Sequence, residues 1–202
     1  MVPRALAIGH ALGDKVVVIG TSMGGTLAVQ LAARAPQQVD ALVLWSPLVR
    51  ERNEALRPLL WPWGSVYLRY VVNHGSALLK GQPVSSAWAI YTHLDGYKAL
   101  VDLTRGSMNP ALYARIRAPV FLGYYYKDEA HQDGTVSVAA MRPMLASFGT
   151  PAALRIERAF PEAGGHVIAS PLRSASSEAV RQATGDFLNR ISRLPRGDAP
   201  AP

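Results

Sequence analysis

The chain has 202 residues, 49% of them hydrophobic and 17% charged, with a formal net charge of +7 and no cysteine. That length supports one globular domain with a sizeable core and room for a small subdomain, while the missing cysteine excludes disulfides, thiol nucleophiles and cysteine-bound metals. The arginines and lysines are scattered, and their densest stretch, "LVRERNEALR", alternates sign with Glu51 and Glu54, which reads as a solvated face and not as a nucleic-acid surface.

The longest apolar runs, "ALVLW" and "PVFLGYYY", fall far short of the roughly 20 residues that cross a bilayer, so no membrane span is expected. In the leading stretch "MVPRALAIGHALGDKVVVIG", His10 and Asp14 interrupt the apolar run and no small-residue cleavage pattern follows. A cytoplasmic protein is the resulting expectation.

In chain order, "ALAIGHALGDK" reads as the end of a helix. "KVVVIG" (15–20) reads as a fully buried strand: four β-branched residues closed by Gly20. A helix follows in "SMGGTLAVQLAARAP", where Leu27, Ala28, Leu31 and Ala32 recur at helical spacing until Pro36. "ALVLWSP" (41–47) is a second buried strand, and strand–helix–strand within about thirty residues is the βαβ unit, whose right-handed crossover makes the strands parallel.

Between 49 and 118 the pattern changes to helical stretches carrying Trp61, Trp63, Tyr67, Tyr70, Trp88 and Tyr91, which reads as an inserted helical cap. "PVFLGYYY" (119–126) resumes as a third strand, "VSVAAMRPMLASFG" as a helix, "AALRIERAF" as a fourth strand and "SEAVRQATGDFLNRI" as a closing amphipathic helix. The expected organisation is therefore an α/β core over 1–48 and 119–193, a cap over 49–118, and a disordered tail over 194–202.

The chemistry-bearing pattern is Gly20-Thr21-Ser22-Met23-Gly24, a G-x-S-x-G set between a buried strand and a helix. There a sharp turn lifts the serine hydroxyl above the sheet, at a helix N-terminus that favours negative charge. A side chain at either flanking glycine is expected to collide with the neighbouring helix and strand. A dinucleotide-binding loop is the nearest competitor, but it needs glycine where Ser22 stands and an acidic residue after the second strand, where Trp45-Ser46-Pro47 lies.

A serine hydroxyl needs a base, and the base needs a carboxylate to hold its tautomer. The G-x-S-x-G turn resembles the nucleophile elbow of the α/β-hydrolases, in which acid and then histidine follow the serine on loops after later strands. His10 precedes the elbow, His74 and His93 fall in the cap and His131 sits among the candidate acids, so the resemblance implies His166 in "PEAGGHVIAS", where Gly164 and Gly165 permit a tight return. The loop after the third strand offers Asp128, Glu129 and Asp133 as acids. In many α/β-hydrolases the acid opens a D-x-x-V stretch that leads into the next helix; Asp133-Gly134-Thr135-Val136 resembles it, which implies Asp133 as the acid, with Asp128 as the alternative. His131 and Asp133 with His166 could also be read as metal ligands, but a three-residue H-x-D plus one distant histidine is weak evidence for a site.

The elbow, "LVLWSP", the cap insertion, "APVFLGYYYKDEAHQDGTVSV" and "AFPEAGGHVI" occur in an order that resembles the C-terminal part of an α/β-hydrolase of the esterase and lipase superfamily, from residue 5 to about 193. The resemblance implies a mostly parallel sheet with flanking helices and no cofactor. It also implies a Ser22–Asp133–His166 triad, an oxyanion-hole donor at the Met23 N–H, and carboxylic esters as substrates, ahead of thioesters, amides and small peptides. It further implies strands ahead of the elbow, one of whose loops carries the second oxyanion donor, whereas here the elbow strand begins near residue 15. With those strands absent, "VVVIG" is expected to lie at an exposed apolar sheet edge. Two expectations follow: an esterase-type serine hydrolase acting on a small ester or related acyl substrate, or a noncatalytic remnant whose exposed sheet edge pairs with a partner or a second copy.

Overall fold

Apolar runs closed by turn residues become the strands of one parallel sheet, and the amphipathic stretches between them become its helices. The computed structural model describes residues 2–52, 58–80 and 91–193. The chain divides into two compact units, residues 1–52 with 108–202, and residues 53–107.

The first unit begins with α1 (Val2–Leu12), β1 (Val17–Thr21), α2 (Met23–Arg34) and β2 (Ala41–Trp45). The second contains α3 (Gly64–Tyr67), which continues as one π-helical turn over Leu68–Val72, then β3 (Leu78–Lys80), β4 (Tyr91–His93) and α4 (Leu94–Ser107). The first unit resumes with α5 (Pro110–Tyr113), β5 (Val120–Tyr124), α6 (Val138–Ala146), β6 (Arg155–Ala159) and α7 (Ser177–Ser192).

Strand order in the main sheet is β1-β2-β5-β6, every pair parallel. All four carboxyl ends therefore lie along one edge, where open α/β sheets place their ligands. β2 and β5 are central, and Leu42, Val43, Leu44, Val120 and Leu122 are fully buried. One face packs against α7, with Ala41, Val43 and Phe121 meeting Val180, Ala183 and Phe187. At the end of β2 the Trp45 indole N–H donates to Thr184 Oγ1 on α7 (3.3 Å).

β1 is not the fully buried strand that its apolar run suggests but the exposed apolar edge also expected of it. Its register sets Val17 beside Ala41 and Ile19 beside Val43, on the face that α7 covers. Yet Val17 and Ile19 are 38% and 48% exposed, because that cover ends at β2 and β1 is the edge strand. The face of α2 also differs: Thr26, Ala28, Val29, Ala32 and Ala33 are buried and Leu27 is 40% exposed. Small side chains face the sheet and let the helix approach closely.

Residues 53–107 are not purely helical, since β3 and β4 pair antiparallel with Leu78 opposite His93. Their buried cluster is aliphatic (Leu59, Leu68, Leu94, Val101), whereas Trp61, Trp63, Tyr70 and Tyr91 are exposed. Residues 108–118 belong with the sheet-bearing unit. Trp88 and the expected disordered tail, 194–202, lie outside the described residues. No helix among the described residues is long and apolar enough to cross a membrane.

Candidate active site

Ser22 occupies the one-residue turn between β1 and α2 with φ +53° and ψ −124°. A non-glycine residue at such an angle carries roughly 1–3 kcal/mol of strain and persists only where its surroundings hold it. They do so through the backbone: the Ser22 N–H donates to the Trp45 carbonyl (3.2 Å), while its own carbonyl accepts from Gly25 (2.9 Å), Thr26 (3.3 Å) and Leu48 (2.9 Å). The Ser22 side chain makes no capping hydrogen bond to α2, so its hydroxyl is not engaged by the helix it precedes. Met23, the first residue of α2, brings one of the N–H groups that a helix start leaves without an intrahelical partner.

The glycines flanking Ser22 are not equivalent, which corrects the expectation that both are sterically required. A Cβ on Gly20 would sit 2.5 Å from the Gly24 carbonyl oxygen, but one on Gly24 would meet nothing within 4 Å. The second close approach belongs to Gly25, whose added Cβ would lie 2.7 Å from Pro47 Cβ. Gly20→Ala is therefore expected to cost about 3 kcal/mol, lowering the melting temperature by roughly 6–12 °C. Gly24→Ala should stay within about 1 kcal/mol of the parent, the helix preference of alanine being in its favour. Thermal melts of the pair, followed by circular dichroism, check the contrast.

His166 lies in the loop after β6, where Gly164 takes φ +71°. Its Nδ1 is 2.8 Å from Asp133 Oδ2, in a pair whose side chains are 16% and 0% exposed. A carboxylate only accepts, so Nδ1 carries the proton and Nε2 presents its lone pair. Nε2 is buried and has no hydrogen-bond partner among the described residues, Ser22 Oγ included.

The D-x-x-V stretch has a physical basis. Asp133 Oδ1 accepts from the N–H groups of Thr135 (2.9 Å) and Val136 (3.1 Å), folding the loop over its own acid, while the Asp133 N–H donates to the Tyr125 carbonyl (3.1 Å). Val136 is fully buried and anchors the turn. Asp128, the alternative acid, is instead paired with His131: its Oδ1 lies 2.8 Å from His131 Nδ1 and accepts the backbone N–H groups of Ala130 and His131. The hydrogen bond from the His131 ring holds this exposed carboxyl below its ordinary pKa. The structure thus brings Asp133 to His166 and leaves Asp128 and His131 on the outer part of the loop. Among the described residues no group of three or more histidines and carboxylates is arranged to hold a metal ion.

Two site-edge residues were not signalled by the sequence. Ser46, after β2, has φ +45°, is fully buried, and its Oγ has no partner among the described residues. Arg52 donates from Nη1 to the Asp133 carbonyl (3.1 Å). Ser46 falls in "LVLWSP" without being singled out there, and Arg52 sits in the charged stretch that reads as solvated.

Sequence comparison bears on this arrangement. The family described as serine aminopeptidase, S33 (Hydrolase_4) matches residues 6–150, which include Ser22 and Asp133. The chain belongs to this family. It is accordingly an α/β-hydrolase, and its parallel sheet with flanking helices is the fold of that superfamily. No curated protein matches this hydrolase. Among solved structures, it is similar to the metagenome-derived lipolytic enzymes LipS and LipT (16% identity, TM-score 0.67, covering 92% of this chain and 70% of that one). It is also similar to a monoglyceride lipase from Saccharomyces cerevisiae (13%, 0.67, 96% and 68%) and to the monoacylglycerol lipase of Paleococcus ferrophilus (17%, 0.62, 94% and 76%). At these identities the likeness concerns the fold.

Proposed function

We propose that this hydrolase cleaves carboxylic esters through an acyl-enzyme, with Ser22 as nucleophile, His166 as base and Asp133 as its orienting acid. The observation that carries the reading is the buried Asp133–His166 pair, in which Nδ1 lies 2.8 Å from the carboxylate and Nε2 has no hydrogen-bond partner among the described residues. Catalytic hydrogen bonds are often long without substrate, so the unformed Ser22–His166 contact is compatible with it.

In this mechanism His166 Nε2 takes the Ser22 Oγ proton as Oγ bonds to the ester carbonyl carbon. The oxyanion accepts the Met23 N–H at the start of α2, where the helix end favours negative charge. Collapse breaks the bond to the alkoxy oxygen, which leaves with the proton from His166. Water then adds to the acyl carbon, giving a proton to His166, and release of the carboxylic acid returns that proton to Ser22. The lipase names of the neighbours support esters as the substrate class, and the family's peptidase name makes amides the competing one.

Intact mass after incubation with a fluorophosphonate tests the reading. One adduct is expected, mapped by peptide sequencing to Ser22. A folded chain that takes no adduct would overturn it and favour the noncatalytic alternative.

A further inference from the structure

The acid loop is held from one side by a five-residue segment that also holds the elbow. The Leu48 N–H donates to the Ser22 carbonyl (2.9 Å), and the Leu48 carbonyl accepts the hydroxyl of Thr26 in α2 (2.5 Å). Further along the segment, the Arg50 carbonyl accepts the Ser137 N–H (3.0 Å), Glu51 and Val136 form an antiparallel bridge, and the Arg52 N–H donates to the Thr135 carbonyl (3.1 Å). The Arg52 guanidinium then extends this short ladder to the acid itself, through Nη1 and the Asp133 carbonyl (3.1 Å).

The remaining hydrogen bonds to Asp133 among the described residues come from its own loop, from the end of β5 and from His166. They fold the loop locally. The Arg52 side chain ties the acid's main chain to the segment that carries the elbow's carbonyl contact. Arg50 braces the same segment, its guanidinium donating to the carbonyls of Val49 (2.6 Å) and Met108 (3.0 Å), on either side of the point where the chain leaves for and returns from residues 53–107.

We propose that Arg52 is a positioning residue: through Leu48–Arg52 it sets the distance between the Asp133–His166 pair and Ser22. The inference rests on the roles assigned above to those three residues. A misplacement of about 1 Å in such a constellation can cost about 10²-fold in rate, so even a small shift of the acid on losing the guanidinium from its carbonyl is expected to show in the covalent step.

The test compares parent, Arg52→Ala and Arg52→Lys chains, with near-UV circular dichroism confirming the fold of each. Two readouts are the saturation kinetics of fluorophosphonate labelling at Ser22 and the downfield proton resonance of the His166 Nδ1–H bonded to Asp133. Arg52→Ala is expected to slow the covalent step about 10–100-fold with little change in probe affinity, and to broaden or shift the resonance. Arg52→Lys should recover most of both, since one carbonyl needs only one cationic donor.

Labelling of Arg52→Ala within twofold of the parent would overturn the proposal, as would slow labelling with an unaltered resonance. If Arg52→Ala does not fold, Arg52→Met, which keeps the aliphatic stem and removes the donor, takes its place: slower labelling with an altered resonance that Arg52→Lys recovers supports the proposal, and parent-like labelling in Arg52→Met overturns it. If the parent itself takes no label, the proposed function fails separately and the resonance alone judges Arg52: altered in Arg52→Ala, the positioning role stands; unaltered, it falls.

Discussion

Ser22→Ala is expected to fold as the parent does and to lose ester turnover by about 10⁶-fold. The chemical part of the expectation is simple: without Oγ there is no atom to carry the acyl group, and the donors at the start of α2 are left to polarise a carbonyl that nothing attacks. The structural part is more particular to this turn. The Ser22 hydroxyl makes no capping bond to α2, and the strained angle belongs to the backbone, which is pinned through Trp45, Gly25 and Leu48. Alanine keeps a Cβ at φ +53°, so the strain remains and stability should change by no more than about 0.5 kcal/mol. Ser22→Gly removes that Cβ and should be equally inactive yet more stable, by about 1 kcal/mol or more. Steady-state turnover of a p-nitrophenyl ester, beside thermal melts of the three chains, checks both halves; an alanine chain that keeps turning over would remove Ser22 from the mechanism.

Asp133→Asn should cut turnover by about 10⁴-fold while leaving the loop folded. In the parent, Oδ1 accepts from Thr135 and Val136 and Oδ2 accepts from His166 Nδ1. An asparagine oxygen can take over the two backbone bonds, which places its NH₂ toward the imidazole. Two donors cannot face each other, so His166 would move its proton to Nε2, the nitrogen that has to accept from Ser22. The base would be present and correctly placed but in the wrong tautomer. Asp133→Ala removes the turn-forming oxygen as well and should lose stability, which Asn should largely retain. Turnover measured with melting temperature for the two variants separates the tautomer effect from loop collapse. Parent-like turnover in Asp133→Asn would show that the carboxylate does not orient the base.

The order of elements was legible because each physical signal was local. Strands buried between other strands are continuous apolar runs, as in "ALVLW" and "PVFLGYYY", and the closing helix shows its face through Val180, Ala183 and Phe187. Asp133 was preferred to Asp128 through a resemblance, the D-x-x-V pattern, whose physical content the structure supplies: its carboxylate accepts the N–H groups two and three residues later, of Thr135 and the buried Val136. What escaped depends on contacts distant in sequence. Beside Gly20, the glycine that cannot bear a side chain is Gly25 and not Gly24, because Pro47 crosses it. Arg52 was hidden by its composition: a stretch of alternating charge reads as solvent-facing whichever residue in it reaches a buried carbonyl. The β3–β4 ribbon, only three residues in each strand, is too short to show a period of two.

Of the four tryptophans in the chain, Trp61, Trp63 and Trp88 fall within residues 53–107, and Trp45 alone reports from the sheet-bearing unit. With phenylalanine at the other three positions, emission would come from one indole, at the sheet end beside the elbow strand and hydrogen-bonded to Thr184. The protein thus carries a built-in optical probe. A change in its quantum yield as an inhibitor acylates the turn would follow the reaction in real time with no chromogenic substrate at all.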